Sequence, residues 1–181
     1  TVIGFPHGRS SLESKREEII RAKANGANEV DIVMNYASLR AGDKTIVTEE
    51  IVRLCVVARE SELLTKVIVE TCYLNEAQKL TALAICEKAG ADFIKTSTGL
   101  EKINATLDAG LLMMTAIREY HILTDCKVGF KPAGGIRNTV QAQQWIQLLK
   151  EELGVAWANK TLFRIGASSL LDDLVNTYTK N

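Results

Sequence analysis

The chain has few of the residues that hold metal ions or cross-link small folds. It contains two histidines, and its four cysteines form no CxxC pair. Zinc sites need clustered ligands, and disulfide frameworks are typical of short secreted chains. We therefore expect no metal, no cofactor and reduced thiols, as in a cytoplasmic protein. The cysteines in question are Cys55, Cys72, Cys86 and Cys126.

The chain also lacks a net charge and a long apolar run. Basic and acidic residues number 22 each, so no overall positive field attracts nucleic acid or a membrane surface. No apolar stretch approaches the ~18 residues of a spanning helix, and the start carries no signal-peptide pattern. The expected partner is therefore a small molecule, with neither nucleic acid nor membrane involved.

What is present is a sixfold alternation of short apolar segments and helical patterns. Such alternation predicts a parallel sheet covered by helices. Ser10 with Glu13, and Asn75 with Gln78, are spaced to cap the first and third helices. The predicted strands cover 1–5, 29–34, 65–70, a short segment ending at Lys95, 127–131 and 162–166. The predicted helices cover about 10–25, 45–60, 75–90, 106–120, 139–153 and 169–178.

Two parallel arrangements fit this pattern, a doubly wound sheet and a (β/α)8 barrel. Residues 26–31 align with residues 90–95, an internal repeat that places Asp31 and Lys95 at equivalent strand positions. Glu70 and Lys131 also end predicted strands, and converging strand ends are where barrels build active sites. No dinucleotide or P-loop glycine motif supports the open sheet. The pattern favours the barrel.

The predicted barrel is incomplete. A (β/α)8 barrel typically needs ~250 residues and eight strands, whereas this chain has 181 residues and opens inside a strand without an initiator methionine. Six strands leave two exposed edges, which native proteins avoid. We therefore expect residues 1–181 to form a single barrel domain without its first two units. If Thr1 is the true start, we expect another chain to close the edge, as in a homo-oligomer.

Lys95 and Lys131 are the first candidates for chemistry, since each follows a short apolar run and precedes a glycine-containing loop. A lone strand-end lysine is more simply interpreted as one that reaches water. Two ammonium groups that converge in a buried place, however, disfavour each other's protonation. A neutral amine can attack a carbonyl and form a Schiff base. This context predicts an amine-catalysed aldolase.

Two carboxylates lie at predicted strand ends near these lysines. Asp31 is surrounded in sequence by Val30, Ile32 and Val33, and an unpaired buried carboxylate is costly. It is therefore either a structural ion-pair partner or a proton relay. Glu70 is expected to orient one of the other groups.

Two glycine loops in the last units are candidates for binding phosphate. Glycine allows backbone N–H groups to approach a ligand closely, and a helix N-terminus attracts anions. Barrels commonly bind phosphate between their last two loops. The candidates are Gly134, Gly135, Arg137, Gly166, Ser168 and Ser169.

At these positions the chain resembles deoxyribose-phosphate aldolases, a class I aldolase family with the (β/α)8 fold. The resemblance rests on residues 92–99 (DFIKTSTG), 128–135 (VGFKPAGG), 29–31 (EVD) and 163–169 (FRIGASS). It implies that Lys95 forms the Schiff base, that Lys131 assists it and that Asp31 relays protons. It also implies a substrate site containing Thr96, Thr98 and Gly99 beside the phosphate candidates.

The implied reaction is the reversible cleavage of 2-deoxy-D-ribose 5-phosphate to acetaldehyde and D-glyceraldehyde 3-phosphate, without metal. The sequence departs from the family where members usually carry a lysine after the Thr-Ser-Thr-Gly loop, because Leu100 stands there and Lys102 follows two positions later. The six predicted strands correspond to the family's third to eighth. The alternative is a non-catalytic or truncated sugar-phosphate-binding paralogue of the same fold.

Overall fold

In the described part of the chain, five short strands form one parallel sheet, in which every strand lies beside its neighbours in sequence. Parallel neighbours need a long crossover connection, and helices supply it here. The computed structural model describes residues 1–179. The strands are β1 (Val2–Ile3), β2 (Glu29–Val33), β3 (Leu64–Ile68), β4 (Phe93–Lys95) and β5 (Gly129–Lys131).

Within residues 1–179, seven helices follow or connect these strands. They are α1 (Leu12–Ala24), α2 (Tyr36–Ala41), α3 (Lys44–Glu60), α4 (Glu76–Ala89), α5 (Leu107–Thr124), α6 (Thr139–Glu152) and α7 (Leu170–Thr179), with 3-10 turns at Thr71–Tyr73 and Val155–Trp157. The short helix α2 was not predicted. No helix within residues 1–179 has the length and apolar character needed to cross a membrane.

The helix caps confirm one sequence prediction and correct another. The predicted capping box at α4 is present, with Asn75 and Gln78 exchanging backbone-to-side-chain hydrogen bonds of 3.0 and 2.9 Å. The cap predicted at Ser10 is wrong, because Ser11 accepts the N–H of Ser14 and starts α1 one residue later.

The sixth predicted strand, 162–166, is reduced to two isolated bridges beside β5. These bridges pair Phe130 with Phe163 and Ala133 with Gly166. Hydrogen bonds flank the interruption, from Arg164 N to Phe130 O at 3.2 Å and from Gly166 N to Pro132 O at 2.8 Å. Pro132 has no N–H to donate between them. The ladder therefore breaks at the proline.

The sheet is rolled, as expected for part of a barrel. β2 and β5 are separated by two strands, so in a flat sheet they would lie about 14 Å apart. Nevertheless, Lys131 Nζ lies 2.7 Å from Asp31 Oδ2. Side chains stand roughly perpendicular to a sheet, so this contact requires the strands to curve around a common interior.

A buried lysine outside the site joins the start of the chain to the rolled sheet. Lys15 is fully buried, and its Nζ donates to Gly8 O at 2.8 Å and Val33 O at 3.1 Å. An ion pair of 2.9 Å with Glu50 completes its partners. Burial lowers the pKa of Lys15, against the charge and hydrogen bond of Glu50. This lysine therefore links the loop after β1 to the end of β2.

Candidate active site

Two lysines donate to a single carboxylate oxygen inside the rolled sheet. Lys95 Nζ and Lys131 Nζ lie 2.8 and 2.7 Å from Asp31 Oδ2. Because both bonds end on the same atom, the two nitrogens are separated by no more than the two bond lengths together. Lys95 and Asp31 are buried, and Lys131 is partly exposed. The structure thus brings together the three residues expected to carry the chemistry.

The local register explains this convergence. Lys95 pairs with Lys131 across β4 and β5, so the two side chains leave the sheet on the same side. Asp31 and Lys66 pair in the same way across β2 and β3. Rolling the sheet then brings the first pair to the second. Four charged side chains from four strands consequently meet in one interior.

Lys66 is the functional candidate that sequence reasoning missed. Its Nζ lies 3.0 Å from Asp31 Oδ1 and 2.6 Å from Glu29 Oε2. Glu29 in turn receives two hydrogen bonds of 3.0 Å from the Arg164 guanidinium. The available signal was a lysine within the apolar strand Leu64–Ile68, since a charge there needs a buried partner.

The network sets the charge states of its members. Burial alone would raise the pKa of Asp31, but the charge of Lys95 and the hydrogen bonds from both cleft lysines hold it well below its usual range. Burial lowers the pKa of Lys131; the nearby charges of Lys95 and Lys66 add to this, against the hydrogen bond to Asp31. Asp31 is therefore a carboxylate that faces an ammonium group with a weakened hold on its proton.

Glu70 organises the loop after β4. It is buried and adopts a left-handed backbone conformation, with φ of 54°. Its Oε2 and Oε1 accept the N–H of Thr98 at 3.1 and 3.3 Å. Burial raises the pKa of Glu70, and the hydrogen bonds from Thr98 oppose this. Glu70 therefore orients the loop, and its hydrogen bonds do not reach the lysines.

A cleft of about 750 Å³ opens beside Lys95 and Lys131. Seven further predicted residues line it: Thr98, Gly99, Gly134, Gly135, Arg137, Gly166 and Ser168. Lys102 also lines it and contributes a second cation alongside Arg137. Within residues 1–179, no three His, Cys, Asp or Glu side chains are grouped to hold a metal ion.

Two residues predicted for the substrate site lie outside the lining of this cleft. Thr96 is buried, and its Oγ1 accepts the N–H of Ala133 at 3.0 Å, which ties the ends of β4 and β5 together. Ser169 is exposed immediately before α7 and is absent from the lining. The sequence could not separate them from their neighbours, because adjacent residues of a loop point in different directions.

Comparison with known proteins gives a consistent result. Residues 1–174 match the family described as DeoC/LacD family aldolase. Over 172 residues, or 94% of the chain, it is 42% identical to the deoxyribose-phosphate aldolases of Mus musculus and Homo sapiens. The matched region is 54% of each relative. The chain thus spans about half the length of the curated relatives it matches.

Solved structures show the same fold. A structure described as QR15, an aldolase, is 32% identical, with a TM-score of 0.81 over 99% of this chain and 73% of that one. A structure titled as a putative deoxyribose-phosphate aldolase from Coccidioides immitis is 30% identical, with a TM-score of 0.81 over 98% of this chain and 63% of that one. The chain belongs to the DeoC/LacD family of aldolases.

Proposed function

We propose that this chain carries the site of a class I aldolase that cleaves 2-deoxy-D-ribose 5-phosphate reversibly into acetaldehyde and D-glyceraldehyde 3-phosphate. The observation that carries the proposal is the sharing of Asp31 Oδ2 by Lys95 and Lys131, at 2.8 and 2.7 Å. A buried amine beside a second cation is suited to attack a carbonyl. The named substrate comes from the relatives described as deoxyribose-phosphate aldolases.

Lys95 is assigned as the nucleophile, because it is the more buried of the two lysines that face the cleft. Its neutral amine adds to C1 of the open-chain sugar, and loss of water leaves an iminium ion. The proton that Lys95 must first release has a direct route through Asp31 Oδ2 to Lys131. The lowered pKa of Lys131 favours its neutral amine, which is the form that can receive that proton.

Carbon–carbon cleavage then follows from the electron demand of the iminium. A base removes the proton of the C3 hydroxyl, the C2–C3 bond breaks, and its electron pair forms the enamine between C1 and C2. C3 becomes the aldehyde carbon of glyceraldehyde 3-phosphate. Protonation of C2 and hydrolysis of the new iminium release acetaldehyde and restore Lys95. Lys131 and Asp31 are the groups positioned to carry these protons.

The phosphate is proposed to bind at the far end of the cleft. Gly134 and Gly135 both have φ of 83°, a conformation that favours glycine. The N–H of Gly134 donates to Gly166 O at 3.1 Å and joins the two loops, so Gly135 is the residue proposed to present its N–H to the phosphate. Arg137 and Lys102 provide positive charge along the same lining. Gly166 and Ser168 complete this end from the segment before α7.

A homo-oligomeric state is proposed from a structural relative. A deoxyribose-phosphate aldolase from Aeropyrum pernix, whose title describes a unique tetrameric structure, is 25% identical with a TM-score of 0.77. Size-exclusion chromatography with light scattering tests this assembly, and a monomer at all concentrations contradicts it.

The test of the proposed function is chemical trapping. The protein is incubated with acetaldehyde and reduced with borohydride, and the adduct is mapped by mass spectrometry. We expect the adduct on Lys95, with neither adduct nor turnover in Lys95→Leu. Lys150→Leu removes an exposed lysine of α6 and serves as the matched control. An unlabelled Lys95 contradicts the proposal, and sugar-phosphate binding without turnover favours the non-catalytic paralogue.

A further inference from the structure

We propose that Glu29 and Arg164 are positioning residues, which hold Lys66 on one oxygen of Asp31 so that only the other faces Lys95 and Lys131. This inference rests on the proposed function, because it concerns the same carboxylate. Neither residue lines the cleft, so their effect on a substrate must pass through Lys66 and Asp31.

Glu29 and Arg164 form a clamp across the interior of the rolled sheet. They are separated by 135 residues, and each guanidinium N–H donor lies 3.0 Å from its own carboxylate oxygen. Such a two-point contact fixes the plane of the carboxylate as well as its distance. Glu29 lies two residues before Asp31 on β2, so both side chains leave the strand on the same side.

Lys66 transmits this fixed position to Asp31. Its side chain is 3% exposed, and its Nζ lies 2.6 Å from Glu29 and 3.0 Å from Asp31 Oδ1. The ring of Phe93 supports both cations of the network, with its centre 6.0 Å from Lys66 Nζ and 5.5 Å from Arg164 Cζ. The ammonium group therefore has little freedom to leave either carboxylate.

The orientation of Asp31 follows from these contacts. With Oδ1 engaged by Lys66, the carboxylate cannot rotate to give Lys95 and Lys131 an oxygen each. Both cleft lysines must share Oδ2, as observed. This sharing brings the two nitrogens close together and provides the proton route between them.

Removing the negative charge of Glu29 should change the protonation of the cleft lysines in one direction. The hydrogen bond from Arg164 lowers the pKa of Glu29 to about 2, despite partial burial, so Glu29 is anionic at neutral pH. Without the negative charge of Glu29, Lys66 pairs with Asp31 alone. It then neutralises more of the negative charge of Asp31. Asp31 then gives the ammonium form of Lys131 less support, while the charges of Lys95 and Lys66, which already lower the pKa of Lys131, are unchanged.

The experiment measures the trapping of acetaldehyde on Lys95 as a function of pH, which requires no turnover. In Glu29→Gln we expect the acid limb of the trapping curve to move to lower pH by about half a unit or more. We also expect kcat for cleavage to fall roughly tenfold, with KM changed by less than about twofold. Arg164→Lys, which keeps the charge but loses the two-point contact, should show the same direction with a smaller shift.

A double-mutant comparison decides whether the effect passes through Lys66. In a Lys66→Met background, Glu29→Gln should produce no further shift of the limb. Glu152→Gln breaks an ion pair of 2.6 Å with Arg118 outside the site and is the matched control. Its acid limb of the trapping curve should lie at the same pH as in the wild type. An unchanged limb in Glu29→Gln, or an equal shift with and without Lys66, overturns the inference. A wild type that traps aldehyde but shows no cleavage contradicts only the proposed function.

Discussion

Lys131 and Asp31 lie on strands that are not neighbours, yet their charged atoms are 2.7 Å apart. The contact exists only because β2, β3, β4 and β5 curve around a shared interior. The site is therefore formed by the curvature of the sheet as much as by any loop. Removal of the shared carboxylate of Asp31 is its first test.

Asp31→Asn keeps the size of the side chain and removes its charge. The amide cannot act as a proton carrier between the lysines, so we expect kcat to fall about 10²- to 10⁴-fold. Steady-state cleavage assays measure the loss, and circular dichroism checks that the fold persists. Activity within about twofold of the wild type would show that the carboxylate has only a structural role.

Leu100→Lys tests the charge available to the phosphate. Leu100 is 65% exposed and follows Gly99, which lines the cleft. An added ammonium group there should lower KM for the phosphorylated sugar by about fivefold, the equivalent of a favourable exposed ion pair, and the gain should shrink in high salt. KM for unphosphorylated 2-deoxyribose should not change. Leu123→Lys, at an exposed position of α5, is the control for added charge alone.

Gly134→Ala and Gly135→Ala separate crowding from backbone strain. Both glycines have φ of 83°, so both substitutions carry the same strain. A Cβ at Gly134 would lie 2.7 Å from Asn104 and 2.9 Å from the Cα of Gly99, whereas nothing lies within 4 Å of one at Gly135. KM for the phosphorylated sugar should therefore rise more in Gly134→Ala. Equal increases would contradict a role for close packing of these loops.

Glu87 gives a prediction for stability against pH. Burial, together with the charge of Glu119, raises the pKa of Glu87 from 4.5 to about 7, and its Oε1 has no hydrogen-bond partner within the described part of the chain. Between pH 4.5 and about pH 7, the folded state therefore binds more protons at Glu87 than the unfolded state does. The free energy of unfolding should therefore fall as pH rises from about 4.5 to about 7.

Glu87→Gln should remove this dependence. Since Glu87 is only partly buried, solvent screening reduces the effect, and we expect a gain of about 1 kcal/mol at pH 8. Urea unfolding at pH 5 and pH 8 measures it. Glu119→Gln should give a smaller gain by removing one repulsive charge. A wild type whose stability is flat across this range would contradict the raised pKa.

The interrupted strand beside β5 is a place where the local sequence pattern predicts a different structure from the one observed. Residues 162–166 have a strand-like composition, and they run parallel to β5. The break comes from Pro132 on the neighbouring segment, more than 25 residues earlier in the chain. A hydrogen-bond ladder depends on both of its strands, so the pattern of one of them predicts only half of it.

By itself, the sequence determined the alternation of strands and helices, the lysines that end two strands, and Asp31 among apolar neighbours. These features are local, because strands and loops can be recognised from the types of adjacent residues. Only the tertiary structure decided that Lys66 pairs with Asp31 and that Arg164 holds Glu29 across 135 residues. Such contacts depend on strand register and on the curvature of the sheet, which no short stretch of sequence specifies.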